Sequence, residues 1–461
     1  MSIREHVLKQ VVFPAADVLR GRSLVRTMAE LEQSQWWTRE QLIDLQSRLL
    51  QKLIAHAFRT VPYYRELMKA RSLTPSDFRT PADLSKLPLL TREDVRANYF
   101  NGRLLAERTA RRGLKQGRTG GSTTGEPLFF TFDRSTMDYG RAVFYRGSSW
   151  AGCPAGTPML RLWGQSIARQ SIGQAMKEGV QRFASGTTHI NAFQLDDSLL
   201  EKCGRLLATG TVKFIYAYAS SLKEVCRYLQ SHDVKPKGVR AAMVTAEVLL
   251  TEDRQLIQDT LGAPVFNGYG CGEVNGIAYE CDRHAGMHVG MERAIVEAVD
   301  EDGVAVGPGQ RGRLAVTDLH NAAMPFVRYL NGDEAELDTA KCLCGRALDR
   351  VQRILGRTCD IIDGVNGNHV HSYYFASLFG YLGWAKEFGL AQFQIVQETK
   401  EQLQMRLVVR DHPSPAAEQQ LRARLTESLG AMDVHIRYSS ALDPAASGKL
   451  RWTINKLRVG M

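Results

Sequence analysis

Apolar residues recur at helical spacing from Gln41 to Leu67, at Leu42, Leu45, Leu49, Leu53, Ile54 and Ala57. The spacing predicts a helical N-terminal section, interrupted at Val61-Pro62 because proline lacks the amide donor a helix needs. From about Phe129 to Gly312, helix-like stretches (Leu199–Leu207, Leu222–Leu229) alternate with short β-branched or aromatic runs at Val212–Tyr216, Ala241–Thr245 and Ala294–Val299. Such alternation predicts α/β layers. Asp300–Gly312 reads as a hairpin turn followed by a loop, and Arg313–Asp318 as another strand. Beyond Gly356 the pattern shrinks to strand (Phe393–Gln397), strand (Gln404–Val409), helix (Pro415–Leu429), strand (Asp433–Tyr438) and a terminal basic helix. The expected organisation is a large domain over 1–355 and a small α+β domain over 356–461. No internal repeat or low-complexity tract interrupts it.

Composition narrows the class. The chain has 461 residues with 44% hydrophobic and 23% charged positions, ordinary globular usage that excludes a disordered tail or a fibrous repeat. Lysine and arginine exceed aspartate and glutamate by 59 − 49 = 10, yet no run of five or six like charges appears. That argues against a nucleic-acid tail and leaves two readings, a mild preference for anionic small molecules or a solvated basic surface. No run approaches the ~18 apolar residues of a membrane span, and the run from Val11 is broken by Pro14 and Asp17, so a cytoplasmic protein is expected. Eight cysteines are too sparse for a disulfide framework, which leaves thiols, core residues or metal ligands.

The densest chemical signal is Thr119-Gly120-Gly121-Ser122-Thr123-Thr124-Gly125-Glu126-Pro127, three glycines and four hydroxyls ahead of the strand-like Leu128–Phe132. Such a loop folds amides and hydroxyls around phosphate oxygens, or is a polar turn. It lacks the lysine of a GxxxxGK[ST] loop, which disfavours a standard nucleoside triphosphatase. Downstream, Asn267-Gly268-Tyr269-Gly270-Cys271-Gly272-Glu273 offers backbone approach and one carboxylate able to hold Mg²⁺ on a phosphate. Arg328-Tyr329-Leu330-Asn331-Gly332-Asp333, Gly356-Arg357-Thr358-Cys359-Asp360 and Ser447-Gly448-Lys449 follow in order.

That order and content resembles the adenylate-forming superfamily of acyl-CoA synthetases, and within it the phenylacetate–CoA ligase group with its CapK-like relatives. The resemblance runs from Val61-Pro62-Tyr63-Tyr64-Arg65 and Leu87-Pro88-Leu89-Leu90-Thr91-Arg92 through Ala323-Met324-Pro325-Phe326-Val327-Arg328-Tyr329 to Lys449. It implies an α/β fold, a large multi-layer N-terminal adenylate-forming domain with a small mobile α+β C-terminal domain. It also implies an enzyme that activates a carboxylic acid, aryl or apolar, with ATP to an acyl-adenylate and passes the acyl group to coenzyme A, releasing AMP and pyrophosphate. Two alternatives stand beside it: transfer to an amine, giving an amide in polysaccharide or natural-product modification, and an inactive nucleotide-binding regulatory protein. A homodimer is left open.

Carried onto matching positions, Ser122, Thr123, Thr124 and Gly125 would hold the triphosphate and Glu273 would bind Mg²⁺. Ala246 and Glu247, in Val244-Thr245-Ala246-Glu247, and Tyr269-Gly270 would lie against the nucleotide. Asp333 would accept from the ribose hydroxyls, Arg357 would contact ribose or phosphate, Asp360 would sit in the hinge, and Lys449 would be the catalytic cation of adenylation. Two departures stand out. Leu330-Asn331 replaces the Arg-Thr of many relatives, and Glu126 replaces a lysine in the first loop. Trp163, Gly164, Phe193, Tyr216 and Tyr218 suggest an aromatic lining for the acid, or core packing.

Cys281 precedes His284 and His288, and Cys342-Leu343-Cys344 follows about sixty positions later. Three thiols and one imidazole make a tetrahedral zinc set with no place left for water, hence a structural site, or else are reduced cysteines near a turn. Some proteins of the resembling group carry such zinc-binding cysteine pairs, and their pattern favours His288 over His284. The set expected is Cys281, His288, Cys342 and Cys344.

Overall fold

The computed structural model describes residues 14, 17, 23–107, 114–118, 128–163, 186–192, 197–357, 361–371, 374–375, 378–379, 382–442 and 452–458, the side chains of 357, 361, 369, 371, 385 and 386 excepted. The chain forms two compact units. One comprises residues 1–118, 129–331 and 336–353; the other comprises 119–128, 332–335 and 354–461.

The predicted helical start is present as α1 (Leu24–Ser34), α2 (Arg39–Thr60), α3 (Pro62–Ala70) and α4 (Arg92–Tyr99). A capping box at Thr38 starts α2: its hydroxyl accepts from the Gln41 amide while the Gln41 side chain accepts from Thr38. The break comes at Val61, whose extended backbone ends α2 and lets Pro62 open α3 at the first-turn position that proline tolerates.

A short hairpin of β1 (Lys115–Arg118) and β2 (Phe129–Phe132) leads to α5 (Arg134–Trp150). Then come β3 (Met159–Trp163), β4 (Thr187–Asn191), α6 (Asp197–Ala208), β5 (Phe214–Tyr218), α7 (Ala219–Ser231), β6 (Ala241–Thr245), α8 (Thr251–Leu261) and β7 (Val265–Tyr269). β8 (Ala278–Glu280), β9 (Met287–Val289), β10 (Ala294–Val299), β11 (Arg311–Asp318), β12 (Tyr329–Asp338) and β13 (Arg350–Arg357) complete one sheet of order β10-β11-β12-β13-β9-β8-β7-β6-β5-β3-β4. β4-β3-β5-β6-β7 are parallel, and the sheet turns antiparallel from β7 to β8 and β9.

The parallel half is covered on both faces, and β5 shows how its sequence satisfies both. Ile215 and Ala217 pack with Leu207, Leu222, Val225 and Ile257 beneath α6, α7 and α8. Phe214 and Tyr216, alternating with them, pack with Leu24, Leu31, Ala142 and Val143 from α1 and α5.

The small unit holds a hairpin of β14 (Ile361–Asp363) and β15 (His369–His371), a short helix α9 (Trp384–Glu387), and α10 (Pro415–Leu429). Its sheet runs β18 (Asp433–Tyr438), β17 (Gln402–Val408), β16 (Gln392–Gln397), β19 (Thr453–Asn455). Its core gathers Phe375, Trp384, Ile395, Met405, Leu421 and Leu425. The expected terminal basic helix is corrected here: Thr453–Asn455 pairs parallel with β16, with Thr453 and Asn455 buried, and Lys456–Arg458 forms one 3₁₀ turn. So short a segment cannot offset helix nucleation, whereas an open sheet edge supplies ready partners. Among the described residues no helix is long and apolar enough to cross a membrane.

Candidate active site and metal cluster

Ligands of open α/β sheets bind beyond the carboxyl ends of the parallel strands. Here those ends are Trp163, Asn191, Tyr218, Thr245 and Tyr269. The loop after β7 is tight: Cys271 N donates to Val274 O at 3.0 Å, and Ile277 N to Tyr269 O at 3.0 Å. A Cβ on Gly270 would lie 2.9 Å from the Gly276 amide nitrogen, so only glycine passes there. The loop delivers Glu273, 2% exposed, to the hydroxyl of Tyr329, which donates to its Oε1 at 2.7 Å. Burial holds the Tyr329 phenol well above its ordinary pKa, and the Glu273 charge adds to this, so it serves as a donor. Among the described residues no lysine, arginine or histidine is ion-paired with Glu273. A buried carboxylate without a counter-charge is costly, and this one fits a bound cation. Tyr269 accepts from Asn331 Nδ2 at 2.5 Å, so Asn331 of β12 braces the loop after β7.

Ala246 follows β6 with φ +67°, a left-handed conformation uncommon outside glycine and a mark of constrained sites. The Glu247 carboxylate accepts from the Ser220 amide at 2.7 Å and its hydroxyl at 2.9 Å, so it caps the first turn of α7. Trp163 stacks on Tyr216 (5.4 Å, 17°) and leans on Tyr218 (4.8 Å), and Phe144 of α5 meets Tyr216 at 4.7 Å. Asp333 lies half-buried within β12, and Arg357 ends β13. Ser122, Thr123, Thr124, Gly125, Gly164, Phe193, Asp360 and Lys449 lie outside the described residues.

The cysteine cluster is assembled from one sheet. Cys281 follows β8, His288 sits on β9, and Cys342 and Cys344 occupy the turn between β12 and β13. Their ligand atoms all lie within 4.8 Å of one another. Cys281 Sγ and Cys342 Sγ are 3.9 Å apart, and Cys344 Sγ is 3.3 Å from His288 Nε2. Tetrahedral zinc with Zn–S near 2.3 Å needs an S–S edge of about 3.8 Å, so the donor set fits the ion. Burial pushes the His288 pKa down to about 4, leaving the neutral imidazole that a metal takes, and pushes the Cys281 thiol up to about 12. At Cys344 burial also acts upward, but hydrogen bonds from Arg346 and Cys342 outweigh it and lower the thiol. His284 is engaged elsewhere: its Nδ1 is 3.1 Å from Glu280 Oε2, and its ring lies on Phe266. The structure gathers His288, not His284.

Sequence reasoning missed Tyr329 and Asn331 as partners of the β7 loop. Their signal was present, since both fall in the segment singled out for Asp333, but pairing a strand with a loop sixty residues away needs the sheet order.

The residues 363–456 match the model of the CapK C-terminal domain. The phenylacetate–coenzyme A ligase of Thermus thermophilus is 28% identical over 341 residues, covering 71% of this chain and 73% of its own. Protein CapK of Staphylococcus aureus is 21% identical over 426 residues, 90% of each chain. A structure of 2-hydroxyisobutyryl-CoA ligase in the postadenylation state, holding R3-HIB-AMP, superposes with TM-score 0.72 over 91% of each chain at 17% identity. The fold is therefore that of the adenylate-forming superfamily. Within it, the chain is similar in sequence to phenylacetate–coenzyme A ligases and to Protein CapK.

Proposed function

We propose that this protein is an AMP-forming ligase that adenylates a carboxylic acid with ATP and transfers the acyl group to coenzyme A. The observation that carries the reading is Glu273, a buried carboxylate with no counter-cation among the described residues, at the carboxyl end of a parallel sheet. The same residue fits Mg²⁺, which when bound would draw charge from the β- and γ-phosphates of ATP. Tyr329 would orient the carboxylate, and Ser122, Thr123, Thr124 and Gly125 would hold the triphosphate. Tyr269-Gly270 and the backbone at Ala246-Glu247 would flank the nucleotide, and Asp333 and Arg357 would take the ribose side. Lys449 would offset the charge on the α-phosphate as pyrophosphate leaves. The acyl acceptor must later reach the same carbonyl, so the small domain, 356–461, would turn about Asp360 between half-reactions.

The cluster of Trp163, Tyr216 and Tyr218 rings supports an aryl or apolar acid. Cys281, His288, Cys342 and Cys344 would hold structural Zn²⁺, tying β8 and β9 to the turn before β13. A second reading, carried over from the CapK-like resemblance of the sequence, sends the acyl group to an amine. Acid-dependent exchange of pyrophosphate into ATP across an acid panel tests the first step. AMP release that needs coenzyme A supports the first reading, AMP release that needs an amine the second, and failure of exchange with every acid would favour the regulatory alternative.

A further inference from the structure

Arg161 lies in the middle of β3, on the face it shares with Trp163, and is paired in register with Tyr216 of β5. Its guanidinium stands over both rings, 4.6 Å from the Trp163 centroid and 5.5 Å from that of Tyr216. Other sheltered arginines of this unit are matched by carboxylates: Arg146 by Glu292, Arg293 by Asp318, Arg328 by Glu297 and Arg350 by Asp338. Among the described residues Arg161 has no carboxylate within ion-pair distance, and its Nε is buried with no acceptor. The rings take the face of the guanidinium, which leaves its in-plane N–H fork for an acceptor. Bidentate carboxylate is the partner that fork matches best.

Depth says which part of a ligand would meet it. The strand ends are where nucleotide and reacting carboxyl are expected, and Arg161 sits two residues before the end of β3, about 7 Å deeper at strand rise. Resting on the adenylation reading, we propose that Arg161 is a specificity-determining residue, and that the acid taken by this site carries a second carboxylate at the end remote from the one adenylated. The body of that acid lies along Trp163 and Tyr216, and Arg161 holds its far end.

The test uses the full chain, wild type and the variants R161M and R161K, each shown to be folded by circular dichroism. The probes are two matched pairs, 1,4-phenylenediacetate against phenylacetate and adipate against hexanoate. Pyrophosphate exchange gives kcat/KM for each acid, and tryptophan fluorescence titration gives its binding without turnover. Wild type is expected to prefer the diacid in at least one pair by about tenfold or more, through KM. In R161M that diacid-to-monoacid ratio should fall by roughly 30-fold, and R161K, which keeps charge but loses the fork, should retain part of it. A wild type that favours the monoacid in both pairs, or a ratio unchanged in R161M, would overturn the proposal. If none of the four acids supports exchange, it is the adenylation reading for these acids that fails, and the titration still decides: diacid bound by wild type and not by R161M supports the role of Arg161, whereas no binding or equal binding overturns it.

Discussion

Two clusters built on the same sheet handle buried polar atoms in opposite ways. At the turn before β13, four soft donors face one another within 4.8 Å, and a single ion would saturate all of them. At the loop after β7, Glu273 has one oxygen on Tyr329 and no cationic side chain beside it among the described residues. The first is a closed set of donors, with no place left for a substrate once an ion is bound. The second is left open among the described residues, which suits the cation that the proposed function places there. Residue type alone does not separate the two cases; the number of donors already turned towards one another does.

The sharpest way to break this contrast lies on the open side. Lys449→Ala should lower adenylate formation by about 10³-fold or more, as loss of a charge-stabilising group does, while thioester or amide formation from a preformed acyl-adenylate stays nearly intact. Equal losses in both half-reactions would remove the lysine from the first step. Glu273→Gln keeps the shape and removes the charge, and should reduce pyrophosphate exchange by roughly 100-fold with a raised Mg²⁺ requirement. An unchanged Mg²⁺ titration would show that the cation binds elsewhere.

The closed side makes a different demand. Protein purified without chelator should contain one zinc per chain, and Cys342→Ser should lose it and about 3 kcal/mol or more of stability, with kcat preserved at temperatures where the variant is folded. Metal-free wild type by elemental analysis would refute the site. Histidine burial offers a check independent of any ion. His320, stacked on Tyr139 at 3.5 Å, has its pKa pushed down to about 4 by burial and by Arg293. The unfolded chain binds that proton near 6.5 and the folded chain does not, so stability should fall as pH drops from about 6.5 to 4, by up to about 3 kcal/mol, with part of the loss absent in His320→Asn. A flat denaturation midpoint over that window would contradict it. The smallest effect is expected of Tyr329→Phe, which removes one hydrogen bond from Glu273 and should slow adenylation about tenfold without altering the fold.

How much of this was legible in the sequence varies with the reach of each interaction. The break at Val61-Pro62, helix α10 and strands β10 and β18 follow from local periodicity, and the structure has them where the pattern puts them. The gathering of Cys281, His288, Cys342 and Cys344 was readable because thiols and imidazoles are rare and chemically distinctive. What could not be read is long-range. Glu273 meets Tyr329 across 56 residues, and the short strand β19 exists only because β16 offers it an edge. Arg161 gave no signal at all, since an arginine amid aromatic residues looks like any solvated cation until the strand register sets it over two rings.

Segments far apart in sequence meet on the strand that leads into the candidate site. Tyr64 donates to Pro325 O at 2.8 Å and accepts from Val327 N, Leu90 N donates to Arg328 O while Leu330 N donates to Leu90 O, and Arg328 reaches Leu87 O at 2.7 Å. These bonds lock the residues around Val61 and Leu87 onto the strand that carries Tyr329. On a ribosome, the segment made first therefore waits more than two hundred residues for its partners, with Tyr64 and Leu90 uncovered meanwhile. Contacts of such sequence separation slow folding and leave apolar surface open to aggregation, so recombinant yield should respond to growth temperature and chaperone supply more than the stability of the finished protein suggests.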